Sequence, residues 1–167
     1  PPAVLLEGAE ARHMLKVLRL KPGDTVWCAN GQGGSGTFAI LDADKHKAWL
    51  KPLELRHAPR PSGSAVLALG WAKSLRRGWL LEKAVEFEAA GLWLWQAQHS
   101  QGKAPDVVKE SWQAQCIAGA KQSKNPWLPE LSTKTGGAAG LAKAIPSFQR
   151  AFLLWEEPGL ERLLTLD

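Results

Sequence analysis

The chain has 167 residues, of which 45% are hydrophobic, and a formal net charge of +5 at pH 7. This is enough apolar material for one domain or two small ones and excludes a globally disordered chain, while the positive balance favours an anionic partner. No run reaches transmembrane length and no charged-then-apolar leader opens the sequence, so a cytoplasmic protein with no membrane role is expected.

Residues 11–19 have helical periodicity. They place Arg12, Lys16 and Arg19 on one stripe, with Ala11, Met14, Leu15, Val17 and Leu18 opposite. Three cations at helical pitch suit a phosphate backbone. Lys21-Pro22-Gly23-Asp24 closes the segment as a turn.

Short strands follow at residues 25–29 and 37–41, joined by Asn30-Gly31 and the Gly-rich residues 32–36. Residues 48–50 and 53–55 are further strand candidates, and Pro52 between them argues for a sheet edge. Short strands joined by Gly-rich turns imply a small barrel. Residues 57–64, HAPRPSGS, read as a linker.

The pattern then changes. Residues 65–69 are a continuous apolar run, expected to form a strand covered on both faces. A helix is expected at 77–90, with Leu80, Leu81, Ala84 and Phe87 as its core stripe and Gly91 at C′. A strand follows at 92–95. A second helix spans 106–124, with Asp106 as N-cap and Val108, Trp112, Cys116 and Ile117 on one side. Residues 128–131 are extended, 138–144 form a short helix, and 151–155 form a buried strand. This order gives α/β architecture with a mostly parallel sheet.

Cys28 and Cys116 lie far apart without a CxxC neighbour, so both are read as buried thiols rather than as a disulfide or zinc site. His13, His46, His57 and His99 lack ligand spacing, and no metal is expected. Several of the nine Trp sit in apolar strings such as residues 92–95, which favours core roles. Residues 71–83 hold Lys73, Arg76, Arg77 and Lys83 against only Glu82, whereas residues 156–167 are acidic. Glu156-Glu157 after a strand is a weak acid–base candidate, because adjacent strand residues point to opposite faces. From the residues alone the chain reads as basic, two-part and suited to nucleic acid.

Several segments, in order, resemble the ribosomal RNA small subunit methyltransferase E family. Residues 12–19, RHMLKVLR, are similar to its HHL-x-x-VLR segment. Residues 21–24 and 30–34 resemble its K-x-GD and DGKGG turns. Ala72-Lys73 with Gly78 loosely resembles its P-KGD element. Residues 83–87, KAVEF, resemble KATEL; residues 97–100, AQHS, stand where the family has SERS; Trp112 and residues 120–123, AKQS, resemble W…A-EQS.

The resemblance implies an α+β two-domain fold: a PUA-like β-barrel RNA-binding domain at 1–60 and a knotted α/β SPOUT methyltransferase domain with a mostly parallel sheet at 61–167. It implies methylation of N3 of a uridine in 16S rRNA of the 30S subunit, with S-adenosyl-L-methionine (SAM) as cofactor and a homodimer as the working form. Arg12, Lys16, Arg19, Lys73, Arg76 and Arg77 are the expected RNA contacts. Glu86, His99 and Gln122 are the catalytic candidates. Lys83 and Glu86 are also placed to pair on their helix, and Ser123 to cap the next one.

Three departures stand out. The family's GPEGG loop and LG-RILR-ET segment, expected after the strand at 152–155, are absent, so the cofactor site and knot are expected to be missing from this chain as written. That absence, the Pro-Pro start and the abrupt end at Asp167 point to an incomplete sequence. His99 replaces the SERS arginine, a weaker and pH-dependent substitute. Val85 and Phe87-Glu88 replace the Thr and Leu-Gly of KATELG. The alternative reading is a non-catalytic RNA-binding protein with a degenerate SPOUT half.

Overall fold

The computed structural model describes residues 2–63, 65–72 and 76–154. Four strands, β1 (Val4–Glu7), β2 (Thr25–Ala29), β3 (Gly34–Ala43) and β4 (Lys47–His57), form an antiparallel sheet in the order β1-β4-β3-β2. The Asn30 turn forms as the sequence requires. The Asn30 side-chain oxygen accepts from the Gln32 amide at 2.8 Å and the Gly34 amide at 3.0 Å, which fixes the β2–β3 register. At the β3–β4 turn, the Asp44 carboxylate accepts from the His46 and Lys47 amides at 2.7 and 2.9 Å. The His46 amide is the main reason that this carboxyl is held below its ordinary range.

Phe38, Ile40, Ala48 and Leu50 project from one side of β3 and β4 and are buried with Met14. A helical segment covers them: α1 (Gly8–Arg12) followed by a π-helical turn (His13–Val17). β1 and β2 are the two edges of the sheet, so the expected barrel stands, among the described residues, as an open sheet with a helical cap.

Pro52 sits where β4, although inside the strand order, is locally a sheet edge, as its residue type argues. It lies inside β4, between β1 and β3 in the sheet order, and is buried. β1 pairs only with residues 47–50, and the β3–β4 register shifts at Phe38, opposite Pro52. The missing amide hydrogen therefore falls at an irregularity beyond the reach of β1, where no ladder bond is lost.

β5 (Val66–Gly70), β6 (Gly91–Trp95) and β7 (Glu130–Lys134) form a parallel sheet in chain order, connected by α2 (Arg76–Glu86) and α3 (Glu110–Ser123). Both helices pack on the face carrying Leu92 and Leu94, and enclose Leu81, Ala84, Val85, Trp112 and Cys116. A Cβ on Gly119 would stand 3.0 Å from the Glu82 backbone, so α2 and α3 approach closely through a residue without a side chain. Residues 137–142 form α4 (Gly137–Ala142), and a 3-10 turn follows at Ile145–Ser147.

Several sequence expectations are corrected here. β5 is the edge of its sheet and Leu67 and Ala68 are exposed, so the strand is not covered on both faces; β6 occupies that position. α2 stops at Glu86, with the reversal made by Glu88 at φ 57° instead of Gly91, which opens β6. Phe87 consequently falls off the helical stripe and is 77% exposed, and Val85 takes its place in the core. α3 begins four residues later than expected, with Lys109 at its N-cap. Asp106 instead pairs with Lys103, and its carbonyl accepts from the Thr133 hydroxyl at 2.9 Å. Residues 151–154 join no strand, and Leu154 is 90% exposed. Trp155, Glu156, Glu157 and the rest of the acidic end lie outside the described residues, as does any knot they would begin.

The two sheets meet along a seam. The Gly33 amide donates to the Pro126 carbonyl and the Leu128 amide to the Gly31 carbonyl, both at 3.0 Å. The Trp127 indole donates to the Ala58 carbonyl at 3.2 Å. The Arg60 guanidinium lies 5.4 Å from the Trp127 ring, so the start of the expected linker is pinned. Lys121 Nζ reaches Glu10 at 2.7 Å. Gly33 has φ +88°, and a Cβ there would meet the Trp127 ring at 2.5 Å. Gly33→Ala is expected to cost about 1–3 kcal/mol, from the backbone conformation and the clash together. Chemical denaturation would read that loss, and an unchanged midpoint would mean that the seam is not closely packed there.

Candidate nucleic-acid interface and cavity

The first group of predicted cations lies on the helical cap. Arg12, Lys16 and Arg19 are all exposed, and among the described residues none of them forms a salt bridge. They do not share one stripe. The Leu18 amide bonds back five residues to the His13 carbonyl at 3.1 Å, so the turn is wider than an α-helical one. Arg19 then leaves the helix at φ 57°. The same widening leaves Val17 65% exposed and Leu18 53% exposed, where the 3.6-residue period buried them. Ala11 and Met14 are the residues of the cap buried against the sheet. The result is a cationic surface with apolar residues among the charges.

The second group lies at the carboxyl ends of the parallel strands. Arg77, in the first turn of α2, donates to the Ala72 carbonyl at 3.0 Å and stacks 4.5 Å from the Trp71 ring and 5.7 Å from the Trp112 ring. Its guanidinium is thus held in one place by two indoles. Arg76 is exposed beside it. Lys73 lies outside the described residues.

At this same end of the sheet is a cavity of about 500 Å³, lined by the loop that follows β6 and by the end of β7 and the residues after it, among them Gln96, Asp106, Thr133 and Lys134. Gln96 organises its wall. The carboxamide oxygen accepts from the Ala104 amide at 2.7 Å, and its nitrogen donates to the Gly102 carbonyl at 3.3 Å. The loop thus tied carries His99, which is exposed, and Ser100, whose hydroxyl accepts from the Ala97 amide at 2.9 Å. Lys134 lies 3.9 Å from the Trp93 ring. Carboxyl ends of parallel strands are where open α/β sheets bind ligands, because the loops there diverge. That rule could have found Gln96 from sequence, since it follows the apolar strand β6; β7, with Leu131 as its one apolar residue, gives no such signal for Lys134.

The other catalytic candidates lie elsewhere. α2 and α3 run antiparallel to the strands, so their carboxyl ends stand at the far end of the sheet from the cavity. Glu86 is there, paired with Lys83. Gln122 is exposed in the last turn of α3, and the Ser123 hydroxyl donates to the Gly119 carbonyl at 2.9 Å as an ordinary helix-end bond. Asn125 ties this end together by donating to the Val85 carbonyl at 2.8 Å. The fold thus brings His99, Arg76 and Arg77 to the cavity end and leaves Glu86 and Gln122 at the opposite one. Among the described residues no group of three His, Cys, Asp or Glu side chains is placed to hold a metal ion.

Neither cysteine is an activated nucleophile. Burial raises the Cys116 thiol to about 11, and burial aided by the Glu10 carboxylate raises that of Cys28, which is only half-buried. A thiol whose pKa rises on folding stabilises the native state fully below its ordinary value of 9.0, and this contribution is lost as pH climbs toward 11. Native Cys116 is therefore expected to resist alkylation at pH 8 and to react once the chain is unfolded; equal rates in both states would contradict its placement.

Comparison with known proteins agrees with this geometry. The model of the RNA methyltransferase PUA domain matches residues 6–53, and that of the RNA methyltransferase domain matches residues 59–165. The chain is 23% identical over 161 residues to ribosomal RNA small subunit methyltransferase E of Bacillus subtilis, covering 93% of this chain and 62% of that protein. It thus spans about three fifths of the length of this curated relative. A Legionella pneumophila methyltransferase solved with bound SAM superposes with a TM-score of 0.75 at 22% identity, covering 96% of this chain and 68% of that one. Ribosomal RNA small subunit methyltransferase E of Neisseria gonorrhoeae, bound to S-adenosyl methionine, gives 0.69 at 20% identity, over 87% of this chain and 60% of that one. Among the described residues no helix is long and apolar enough to cross a membrane. With a family model matched over more than half its length, the chain belongs to the RNA methyltransferase family, that of ribosomal RNA small subunit methyltransferase E.

Proposed function

We propose that the protein methylates N3 of a uridine in 16S rRNA of the small ribosomal subunit, using SAM and acting as a cytoplasmic homodimer without a metal. The observation that carries this reading is the presence, in one chain, of an exposed cationic cap (Arg12, Lys16, Arg19), free of salt bridges among the described residues, and of a cavity at the carboxyl ends of β6 and β7. We divide the roles near residue 60: RNA recognition before it, methyl transfer after it.

The sequence places most of the cofactor site in a segment that this chain lacks; we assign the part that this chain contributes to the cavity, which suits the cofactor on two counts. Its volume of about 500 Å³ lies within the usual range for small-molecule sites. Its lining includes the exposed Asp106 carboxylate, an acceptor suited to a cationic centre, and the Thr133 hydroxyl, whose oxygen can still accept a hydrogen bond. When bound, SAM supplies an electrophilic methyl group on a sulfonium. The chain's own residues then position the substrate. Arg12, Lys16 and Arg19 hold backbone phosphates, and Arg76 does so nearer the cavity; Lys73, outside the described residues, is assigned the same role from the family resemblance alone. Arg77, which lies against both the Trp71 and Trp112 rings and is bonded to the Ala72 carbonyl, is a preorganised cation. The target uridine has to leave its stack to reach such a cavity. Its N3 must also lose a proton, and His99 is the catalytic candidate on the cavity side able to take it.

The test is transfer of labelled methyl from SAM to 16S rRNA by the full-length protein, followed by digestion to nucleosides. Label in 3-methyluridine supports the reading. Label in another nucleoside overturns the N3 assignment, and retention on rRNA without transfer favours the non-catalytic binder.

A further inference from the structure

We infer that the seam between the two sheets is itself part of the RNA-binding surface, with Lys124 as a phosphate contact alongside Arg12 and Lys16. This rests on the proposal that the protein binds rRNA. The Lys121–Glu10 pair, at 2.7 Å, joins the end of α3 to α1. Arg12 lies two residues beyond Glu10 on α1, and Lys124 lies three beyond Lys121 at the C-cap of α3. Along the helix axes Arg12 and Lys124 therefore lie about 3 and 4.5 Å of rise from that contact; Arg12, two residues on, projects from the side of α1 away from Glu10, so the two cations flank the contact instead of facing each other across it. On the other side of Lys124, Trp127 packs on Gly33 and donates to Ala58, so Lys124 is flanked in sequence by two contacts with the first sheet.

Its presentation is fixed. Lys124 adopts the left-handed conformation, φ 54° and ψ 32°. That conformation is unfavourable for a lysine and more readily adopted by Asn or Gly. The next residue, Asn125, is buried; its side chain donates to the Val85 carbonyl and accepts from the Trp127 amide, which locks the reversal. Lys121 is partly neutralised by Glu10. Lys124, by contrast, is exposed and forms no salt bridge among the described residues. A capping position that holds a lysine where asparagine would be less strained leaves a free positive charge beside the cationic cap. A polyanion lying across the seam would meet cations from both sheets.

The experiment measures binding of the full-length protein to in vitro transcribed 16S rRNA over a range of salt. Lys124→Asn removes the charge and keeps the backbone conformation. It is expected to lower the slope of log affinity against log salt by about 0.7–1 and to weaken binding roughly 3- to 10-fold. Lys124→Arg should restore both. Lys51→Asn, which removes an exposed cation from mid-β4, should change the slope little. A parental slope in Lys124→Asn, or an equal drop in Lys51→Asn, overturns the seam. If Lys124→Asn has no effect while charge reversal of the cap abolishes binding, the seam fails and the rRNA reading stands. If the parent shows no salt-dependent rRNA binding, that reading fails first.

Discussion

Replacing Arg12, Lys16 and Arg19 together with glutamate is expected to lower affinity for 16S rRNA by roughly 100-fold or more at physiological salt and to abolish its methylation. None of the three supports the fold: all are exposed and none forms a salt bridge among the described residues, while the buried residues of the cap are Ala11 and Met14. The melting temperature should therefore change little. Binding of SAM should be unchanged as well, because the cavity belongs to the other sheet. Arg19 lies outside the helix at φ 57°, so Arg19→Glu alone should weaken binding without disturbing the placement of Arg12 and Lys16. Equal methylation rates in the triple variant and the parent would remove the cap from the RNA interface.

The second large effect concerns stability. Trp112 is 2% exposed and stands at the centre of the second core, 5.8 Å from Trp71 and beside the Arg77 guanidinium. Trp112→Ala leaves a cavity among Leu81, Ala84, Leu94 and Cys116, and is expected to cost about 3–5 kcal/mol. It also removes one of the two rings that orient Arg77, so affinity for rRNA should fall in whatever fraction remains folded. Trp79 makes the contrast: it is on the neighbouring helix but 58% exposed, and Trp79→Ala should fall within about 0.5 kcal/mol of the parent. Denaturant titration of the two variants checks both values. Similar losses from the two substitutions would mean that the core is not centred where α2 and α3 meet.

The alternation of architecture was legible in the sequence because its signals are local. Asn30-Gly31 makes its turn through its own side chain, and the apolar runs at 65–69 and 92–95 are strands to within a residue. What the sequence hid depends on partners distant in the chain. The π-helical turn, which breaks the stripe of Arg12, Lys16 and Arg19, lies on a sheet whose strands come later in the chain. β1 carries no alternation to read, and it exists because residues 47–50 offer it an edge. Asp106 has the chemistry of an N-cap, but is taken up by Lys103 and Thr133 instead.

The candidate site divides in the same way. Family resemblance named Arg76 and Arg77 as RNA contacts and His99 as a catalytic candidate without locating them; the fold puts all three at the cavity end. The resemblance grouped Glu86 and Gln122 with His99 as catalytic candidates, and the antiparallel run of α2 and α3 carries these two to the far end. Gln96 carries no motif. Its importance comes from two hydrogen bonds across a loop, which only the folded chain reveals.

The most direct measurement is mass spectrometry of nucleosides from 16S rRNA of a strain lacking the gene. The account predicts loss of one 3-methyluridine, restored by the intact gene and not by the Arg12, Lys16 and Arg19 charge-reversal variant. A full complement of 3-methyluridine in the deletion strain would contradict it.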